Sequence, residues 1–358
     1  MKNIGPLIIN LDDTNLSNDE KNIIKNNLVG GIILFSHNYD SKSQLCKLID
    51  DIRSIKDNII ISIDHEGGRI QRLLKEFTHL PSLEAISNIK NHELRKKIAN
   101  QSGYVSGYEL SEINIDINYS PVVDINHNKE NNLLKDRTFG NDINNIVLLA
   151  NEYINGSLEC GVLPVLKHFP GHGRVVTDSH TEGCISDVDI NELLKTDILP
   201  FKSLYLNHSK FNLPIMTSHI IYSKVDKFVV TYSKEWLKTQ SNLIFKKPPI
   251  FISDDVEMYS AKVIDNRELS CEERVLLALN AGCRMIIATT MQNNKIIEEK
   301  NSYKYFSENY LTDNIIEYYE KNRDKMSEIE LPKIESKSVE LYEEAIENMG
   351  TTGMITDE

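Results

Sequence analysis

The sequence predicts an α/β fold, namely a (β/α)8 TIM-type barrel formed by a single domain with peripheral C-terminal helices. Eight short runs rich in Ile, Leu and Val recur along the chain, and each segment between them is long enough to hold a helix. Parallel strands joined by crossover helices produce this alternation. Polar side chains also follow several of the runs, which is where a barrel of this class places its functional residues.

The predicted strands and the first helices follow one another in regular order. Apolar side chains at helical spacing predict amphipathic helices over residues 41–55 and 94–112, on either side of the third strand. A Pro-Gly break follows the fifth strand and predicts a loop there. The eight predicted strands span residues 6–10, 31–36, 58–64, 115–124, 162–168, 213–219, 249–254 and 283–289.

The composition changes near the end of the last predicted strand. After residue 290 the chain becomes charged and Tyr-rich, with helix-forming sequence at residues 317–320 and 339–349. We therefore expect the barrel domain over residues 1–290. Residues 291–358 are expected to form a charged helical extension that packs on the barrel or trails from it.

Charge and composition exclude several classes of protein. The 358 residues include 53 acidic and 40 basic side chains, a formal net charge of −13, which argues against nucleic acid as a partner. The apolar runs fall far short of the ~20 residues that a membrane span needs. With no recognisable secretory signal at the N-terminus, we expect a cytoplasmic monomer without membrane insertion. Five scattered cysteines without a CxxC pair are expected to be reduced thiols: Cys46, Cys160, Cys184, Cys271 and Cys283.

Polar side chains at the ends of the predicted strands form the first candidate site. In a (β/α)8 barrel the carboxyl ends of the strands meet at one mouth, so these side chains are expected to lie near one another. A single Asp after a strand is equally typical of a turn or a helix cap, but polar side chains at the ends of five runs favour a common site. They are Asp64, Asp124, Lys167, His168, His219 and Asp254.

The loop after the fifth predicted strand carries a second concentration of titratable side chains. Asp178 and His180 are two residues apart, so the carboxylate can orient the imidazole and raise its pKa. This pair makes His180 a candidate general acid/base. Gly171 and Gly173 give the loop backbone the freedom to approach a ligand.

Metal binding and a purely structural role are the two alternatives for this loop. Four side chains of this segment are of the types that bind metals: His168, His172, Asp178 and His180. A helix would place the first two on one face, but Pro170 lies between them and disfavours a helix there. The histidines could instead bond only to the backbone. The residue types alone do not decide between acid/base catalysis, metal binding and a structural role.

Four segments resemble the signature of family 3 glycoside hydrolases. Residues 167–173 read Lys-His-Phe-Pro-Gly-His-Gly and are followed by Asp-Ser-His at 178–180. Residues 63–72, 135–140 and 252–258 resemble further stretches of the same family, so the resemblance extends from about residue 5 to residue 289. The chain is most similar to the single-domain bacterial β-N-acetylhexosaminidases that trim cell-wall fragments in the cytoplasm.

The resemblance implies a role for each matched residue. Asp254, four residues before Met258, aligns with the family's nucleophile, and His180 with Asp178 matches the acid/base dyad of this subfamily. Glu66 and Arg69 are expected only to shape their loop, and His65 stands where the family has Gln. Neither a metal nor an organic cofactor is implied. The residues implied in sugar binding are Asp64, Arg72, Arg137, Lys167 and His168.

These assignments predict a retaining exo-β-N-acetylglucosaminidase. It would remove terminal non-reducing GlcNAc from small soluble peptidoglycan fragments, the muropeptides, through an Asp254 glycosyl-enzyme intermediate. This activity would belong to peptidoglycan recycling and so to cell-wall turnover, cell shape and cell division. The alternatives are another family 3 specificity, such as a β-glucosidase or a GlcNAc phosphorylase, a metal-dependent hydrolase on the same barrel, and a non-catalytic sugar-binding protein.

Overall fold

The computed structural model describes residues 4–128, 133–175, 183–292, 295–296, 302–326, 328–335 and 337–354. Strands and helices alternate along most of this length. The strands are β1 Leu7–Ile9, β2 Val29–Leu34, β3 Ile60–Ile63, β4 His65–Gly67, β5 Ile70–Gln71, β6 Ile117–Asn118, β7 Leu163–Pro164, β8 Leu166–Phe169, β9 Cys184–Ser186, β10 Ile215–Thr217, β11 Ile220–Tyr222, β12 Phe251–Ser253, β13 Val263–Ile264, β14 Arg267–Glu268, β15 Cys283–Ile287, β16 Met291–Gln292 and β17 Lys295–Ile296.

Helices follow most of these strands. Short 3-10 helices lie at Ser36–Asn38, Lys135–Arg137, Val230–Tyr232 and Arg323–Lys325, and a π-helix at Glu235–Gln240. The α-helices are α1 Asn18–Ile24, α2 Lys42–Ile55, α3 Leu83–Ser87, α4 His92–Glu112, α5 Ile143–Glu159, α6 Ile190–Lys195, α7 Ile198–Asn207, α8 Ser241–Phe245, α9 Tyr259–Lys262, α10 Cys271–Ala281, α11 Ser302–Asn309, α12 Asp313–Asn322 and α13 Val339–Thr351. None of the helices in these described segments is long and apolar enough to cross a membrane.

The main sheet contains a strand from each of the eight predicted runs. Its order is β7-β6-β3-β2-β1-β15-β12-β10-β8. The sheet has nine strands because the fifth predicted run is divided into β7 and β8. Pro121, opposite this run, has no amide hydrogen to donate, and pairing resumes at the bridge between Val122 and Lys167.

The chain divides into two compact units. Unit 1 comprises Met1–Ile61, Thr177–Ile190 and Met216–Glu330, and unit 2 comprises Ser62–Val176, Asn191–Ile215 and Leu331–Glu358. In unit 1, β1 pairs in parallel with β2 and β15, and β12 pairs in parallel with β15. In unit 2, the last residues of β3 pair in parallel with β6, and β6 pairs with β7.

Local sequence signals explain where the predicted helices begin. Ser41 caps α2 by accepting a hydrogen bond from the Gln44 amide. The buried face of α2 carries apolar side chains at helical spacing, namely Leu45, Leu48, Ile49 and Ile52. Helix α4 begins two residues before the predicted start, because Asn91 accepts from the Leu94 amide and so caps it there. Both predicted helices are confirmed.

The helices of the C-terminal region pack on earlier elements. The helical segments predicted at residues 317–320 and 339–349 lie in α12 and α13. In unit 2, α13 packs against α4 and buries Ala345 and Met349.

All five cysteines belong to the described parts of the chain and are free thiols, as predicted.

Glycine allows the backbones of α4 and α5 to approach each other closely in unit 2. A Cβ atom on Gly156 of α5 would lie 2.2 Å from the Asn100 carbonyl oxygen of α4, and one on Gly103 would lie 2.0 Å from the Tyr153 carbonyl oxygen. These contacts are with backbone atoms, which cannot move away without separating the helices.

We predict that Gly156→Ala lowers the free energy of unfolding by about 1–3 kcal/mol, because the added methyl group overpacks this contact. Gly350→Ala in α13 is the matched control, since nothing lies within 4 Å of its added Cβ. Its stability should be unchanged or slightly raised, because Ala favours helices more than Gly. Urea unfolding of both variants measures the difference, and a Gly156→Ala protein as stable as the wild type would contradict the close packing of α4 on α5.

Candidate functional site

Unit 2 gathers charged side chains at the carboxyl ends of its strands. Asp64 directly follows β3, Glu66 lies in β4, and Lys167 and His168 lie in β8. Arg72 directly follows β5 and Arg137 ends the 3-10 helix Lys135–Arg137. Three segments that are far apart in sequence therefore contribute to one cluster, which we call the Lys167 cluster: Asp64, Glu66, Arg72, Arg137 and Lys167.

Lys167 lies at the centre of this cluster. Its Nζ is 2.8 Å from Asp64 Oδ1 and 2.6 Å from Glu66 Oε1, and its side chain is only 2% exposed. An unpaired ammonium group could not be buried to this extent, since transfer out of water costs several kcal/mol or more. The two carboxylates compensate that cost and fix the position of Nζ.

Arg137 holds Glu66 through two parallel hydrogen bonds. Its Nη2 donates to Oε1 at 2.7 Å and its Nε donates to Oε2 at 2.8 Å. Burial alone would raise the pKa of Glu66, but the charges of Arg137 and Lys167 outweigh it and hold the pKa at about 2. Glu66 is therefore ionised at neutral pH.

Asp64 differs from Glu66 in its access to solvent. Its side chain is 19% exposed, whereas that of Glu66 is 1% exposed. Burial would raise the pKa of Asp64, but Lys167 and then Arg72, whose Nη2 is 3.4 Å from Oδ2, hold it well below its usual range. Asp64 is the carboxylate of this cluster that a ligand can reach while it remains ionised.

His168 is oriented by Asp124. Its Nδ1 is 2.7 Å from Asp124 Oδ2, and Oδ1 of the same carboxylate accepts from the backbone amides of His168 and His172 at 3.0 and 2.8 Å. Asp124 is fully buried, which alone would raise its pKa, but His168 lowers it. Because an ionised Asp124 can only accept, Nδ1 of His168 carries the hydrogen of this bond.

His65 occupies the position where the sequence departs from the family pattern. Its side chain is fully buried, and its backbone amide and carbonyl both bond to the Asn118 amide group, at 3.0 and 2.9 Å. Burial first, and then the charge of Arg72, lower the pKa of His65 to about 3. The ring is therefore neutral and adds no charge to the Lys167 cluster.

Asp254 lies in unit 1, directly after β12. Its Oδ1 accepts a hydrogen bond from the Asp255 amide at 2.8 Å, and its own amide donates to the Thr217 carbonyl at 3.3 Å. His219, a further strand-end candidate, is buried, and its Nε2 lies 3.0 Å from the carbonyl oxygen of Asp255. It supports the backbone next to Asp254.

Asp178 and His180, the predicted acid/base dyad, lie outside the described residues. The described part of the same loop ends at Val175. Just before it, Arg174 donates from Nε to Asp197 at 2.9 Å, and His127 contacts the other oxygen of Asp197 at 2.8 Å. These contacts fix the chain where it enters the loop.

One residue of the site goes beyond the predicted set, and one predicted residue has a partner that the sequence does not indicate. Glu66, expected only to shape its loop, is the buried partner of both Lys167 and Arg137. Asp124 is recognisable as a strand-end carboxylate, but nothing in the sequence pairs it with His168.

Across the described segments, no group of three His, Cys, Asp or Glu side chains is arranged to hold a metal ion.

Comparison with known proteins identifies the class of the protein. Residues 3–316 match the family described as Glycosyl hydrolase family 3 N terminal domain. A Beta-hexosaminidase from Psychromonas ingrahamii is 36% identical over 286 residues, which cover 79% of this chain and 82% of that protein. The chain belongs to glycoside hydrolase family 3 and is a glycoside hydrolase of the β-N-acetylhexosaminidase type.

Solved structures agree with the predicted fold class. Native NagZ from Neisseria gonorrhoeae is similar to this chain with a TM-score of 0.79 and 24% identity, over 99% of both chains. The same protein in complex with N-trifluoroacetyl-D-glucosamine gives a TM-score of 0.73 and 25% identity, over 99% of this chain and 96% of that one. The prediction of a (β/α)8 barrel is confirmed.

We predict that Glu66→Gln lowers the free energy of unfolding by about 3 kcal/mol at pH 7, because Arg137 loses its carboxylate partner and Lys167 keeps only Asp64. The stabilisation by Glu66 is complete above its unfolded pKa of 4.5 and is lost as the pH falls through about 2. The difference between wild type and variant should therefore shrink between those pH values in denaturant unfolding experiments.

The matched control for this prediction is Asp136→Asn. Asp136 Oδ1 accepts from Arg69 Nε at 2.7 Å, but both side chains are substantially exposed. Such pairs contribute at most about 1 kcal/mol. Equal losses in the two variants, or a Glu66→Gln difference that persists at pH 2, would contradict the electrostatic role of Glu66.

Proposed function

We propose that this glycoside hydrolase is a retaining exo-β-N-acetylglucosaminidase that removes terminal non-reducing GlcNAc from soluble peptidoglycan fragments. The observation that supports this proposal best is the state of Asp64, whose carboxylate is ionised, partly exposed and held in place by the buried Lys167. The chain that carries it is a family 3 β-hexosaminidase. The structure of Neisseria NagZ with N-trifluoroacetyl-D-glucosamine supports GlcNAc as the donor sugar, since that ligand is a GlcNAc analogue.

We assign sugar binding to the residues of the Lys167 cluster other than Glu66, together with His168. Asp64 can accept hydrogen bonds from two sugar hydroxyls, while Lys167 and Arg72 donate to sugar oxygens or to an acetamido group. With Asp124 included, the cations and carboxylates of the whole Lys167 cluster balance to no net formal charge. A neutral saccharide therefore meets fixed donors and acceptors without a net charge to desolvate.

For the chemical steps we propose a double displacement through Asp254. Its carboxylate attacks the anomeric carbon, and the bond to the leaving oxygen breaks as His180 donates a proton to that oxygen. His180 then removes a proton from water, which attacks the anomeric carbon and releases Asp254 with net retention. Asp178 orients the imidazole. These roles rest on the resemblance of residues 178–180 and 252–258 to the family's segments.

The biological setting is also part of the proposal. We infer that the substrates are muropeptides, that the enzyme acts as a cytoplasmic monomer, and that it contributes to peptidoglycan recycling. The support is the resemblance to bacterial β-N-acetylhexosaminidases of that role. Phosphorolysis is the alternative reaction, because a neutral imidazole repels an incoming phosphate less than a carboxylate acid/base would.

We predict hydrolysis of an aryl β-N-acetylglucosaminide and no hydrolysis of the matching aryl β-glucoside. EDTA should leave the rate unchanged. Product analysis with and without inorganic phosphate should give GlcNAc, whereas GlcNAc 1-phosphate would establish phosphorolysis. Activity confined to the glucoside would indicate a different family 3 specificity, and loss of activity with EDTA would indicate a metal-dependent enzyme.

We predict that Asp254→Ala abolishes turnover, while His180→Ala slows it by about 10²–10⁴-fold because the general acid is lost. A dinitrophenyl leaving group, which needs little protonation, should restore much of the glycosylation rate of His180→Ala only. Asp50→Ala, an exposed residue of α2, is the control and should have wild-type kinetics. Turnover by Asp254→Ala, or no rescue of His180→Ala, would contradict these assignments.

A further inference from the structure

A buried charge cluster in unit 1 surrounds Glu257, three residues after Asp254. The side chain of Glu257 is 3% exposed. Its Oε1 accepts from Arg274 Nη2 at 2.6 Å, from Tyr305 Oη at 3.0 Å and also from Tyr310 Oη. Its Oε2 is 2.9 Å from Lys262 Nζ. One carboxylate therefore binds α9, α10, α11 and Tyr310, the residue directly after α11.

The charges of this cluster keep Glu257 ionised. Burial alone would raise its pKa, but Arg274 and Lys262 lower the pKa of Glu257 to about 2. Burial and the negative charge of Glu257 raise the pKa of Tyr310 well above its usual value. Tyr310 is thus a neutral hydrogen-bond donor to a charged acceptor, which is a strong type of hydrogen bond.

A short series of hydrogen bonds leads from Glu257 to Asp254. The Glu257 amide donates to Asp255 Oδ1 at 3.0 Å, and the Asp255 amide donates to Asp254 Oδ1 at 2.8 Å. Thr289 donates to the Asp255 carboxylate through both its amide and its hydroxyl. The backbone position of Glu257 therefore influences where the Asp254 carboxylate is held.

We propose that Glu257 is a positioning residue for Asp254 and that Tyr310, from the C-terminal part of the chain, holds Glu257 in place. This inference rests on the proposed role of Asp254 as nucleophile. Glu257 does not touch the reacting atoms; it fixes the turn that presents Asp254. The C-terminal region thereby contributes to catalysis without contributing a catalytic residue.

The inference predicts a defect in kcat with little change in KM. A displaced nucleophile slows attack steeply with distance, and small misplacements can cost about 10²-fold. Binding of the sugar is assigned to a different set of side chains, so KM should stay within about twofold. Glu257→Gln should lower kcat about 10–100-fold, and Tyr310→Phe, which removes one donor and keeps the ring, about 3–10-fold.

A matched control separates positioning from general stability. Tyr342 of α13 donates to Glu109 Oε1 of α4 at 2.7 Å, so it also joins a C-terminal tyrosine to a buried carboxylate. Tyr342→Phe removes the same kind of bond from a helix pair that carries no proposed catalytic residue. It should lower the melting temperature about as much as Tyr310→Phe does while leaving kcat unchanged.

The experiment measures kcat, KM and melting temperature for the full-length protein and these variants, with an aryl and a dinitrophenyl β-N-acetylglucosaminide. The kcat defect of Tyr310→Phe and Glu257→Gln should persist with the dinitrophenyl substrate, because nucleophilic attack is still required. A wild-type kcat in Tyr310→Phe, an equal kcat loss in Tyr342→Phe, or rescue by the better leaving group would overturn the inference. If Glu257→Gln does not fold, the kcat of Tyr310→Phe alone tests whether Glu257 positions Asp254.

The outcome also distinguishes this inference from the proposed function. Turnover by Asp254→Ala would remove the nucleophile assignment and the inference with it. An inactive Asp254→Ala together with wild-type kcat in Tyr310→Phe and Glu257→Gln would overturn only the positioning role.

Discussion

The ammonium group of Lys167 is almost fully buried between the carboxylates of Asp64 and Glu66, and the geometry of the candidate sugar site depends on that contact. The buried ammonium group of Lys167 and the buried carboxylate of Glu66 would each be unstable in the interior without an opposite charge. Glu66 in turn needs Arg137, which brings the 3-10 helix Lys135–Arg137 to the end of β3. The result is a carboxylate, Asp64, whose position is fixed before any sugar arrives, as preorganised binding requires.

Most of the fold could be predicted from the sequence, because its strands are buried on both sides and appear as continuous Ile- and Val-rich runs. Each predicted run contains a strand of the main sheet, and the polar residues that follow the runs mark strand ends. Helices α2 and α4 were predictable from apolar spacing, and the caps Ser41 and Asn91 set their first residues. The division of the fifth run coincides with an interruption of its pairing next to Pro121, a residue of the fourth predicted run.

Contacts between distant segments could not be predicted in the same way. Glu66 looks like a loop residue until the structure brings Lys167 and Arg137 to it, and Asp124 looks like any strand-end carboxylate until it meets His168. Glu257 likewise depends on Tyr310, more than 50 residues later in the chain. Spacing gives the local geometry of one element, whereas these pairs are set by how elements pack.

Asp254 is proposed to form a covalent bond to the sugar, and trapping the glycosyl-enzyme would show that bond. A fluorinated β-N-acetylglucosaminyl donor with a good leaving group should inactivate the enzyme, because fluorine slows hydrolysis of the glycosyl-enzyme. Intact-mass analysis should then show one added sugar, and peptide mapping should place it on Asp254. A label on another side chain, or continuous turnover without any covalent adduct and with inversion at the anomeric carbon, would contradict the role of Asp254 as nucleophile.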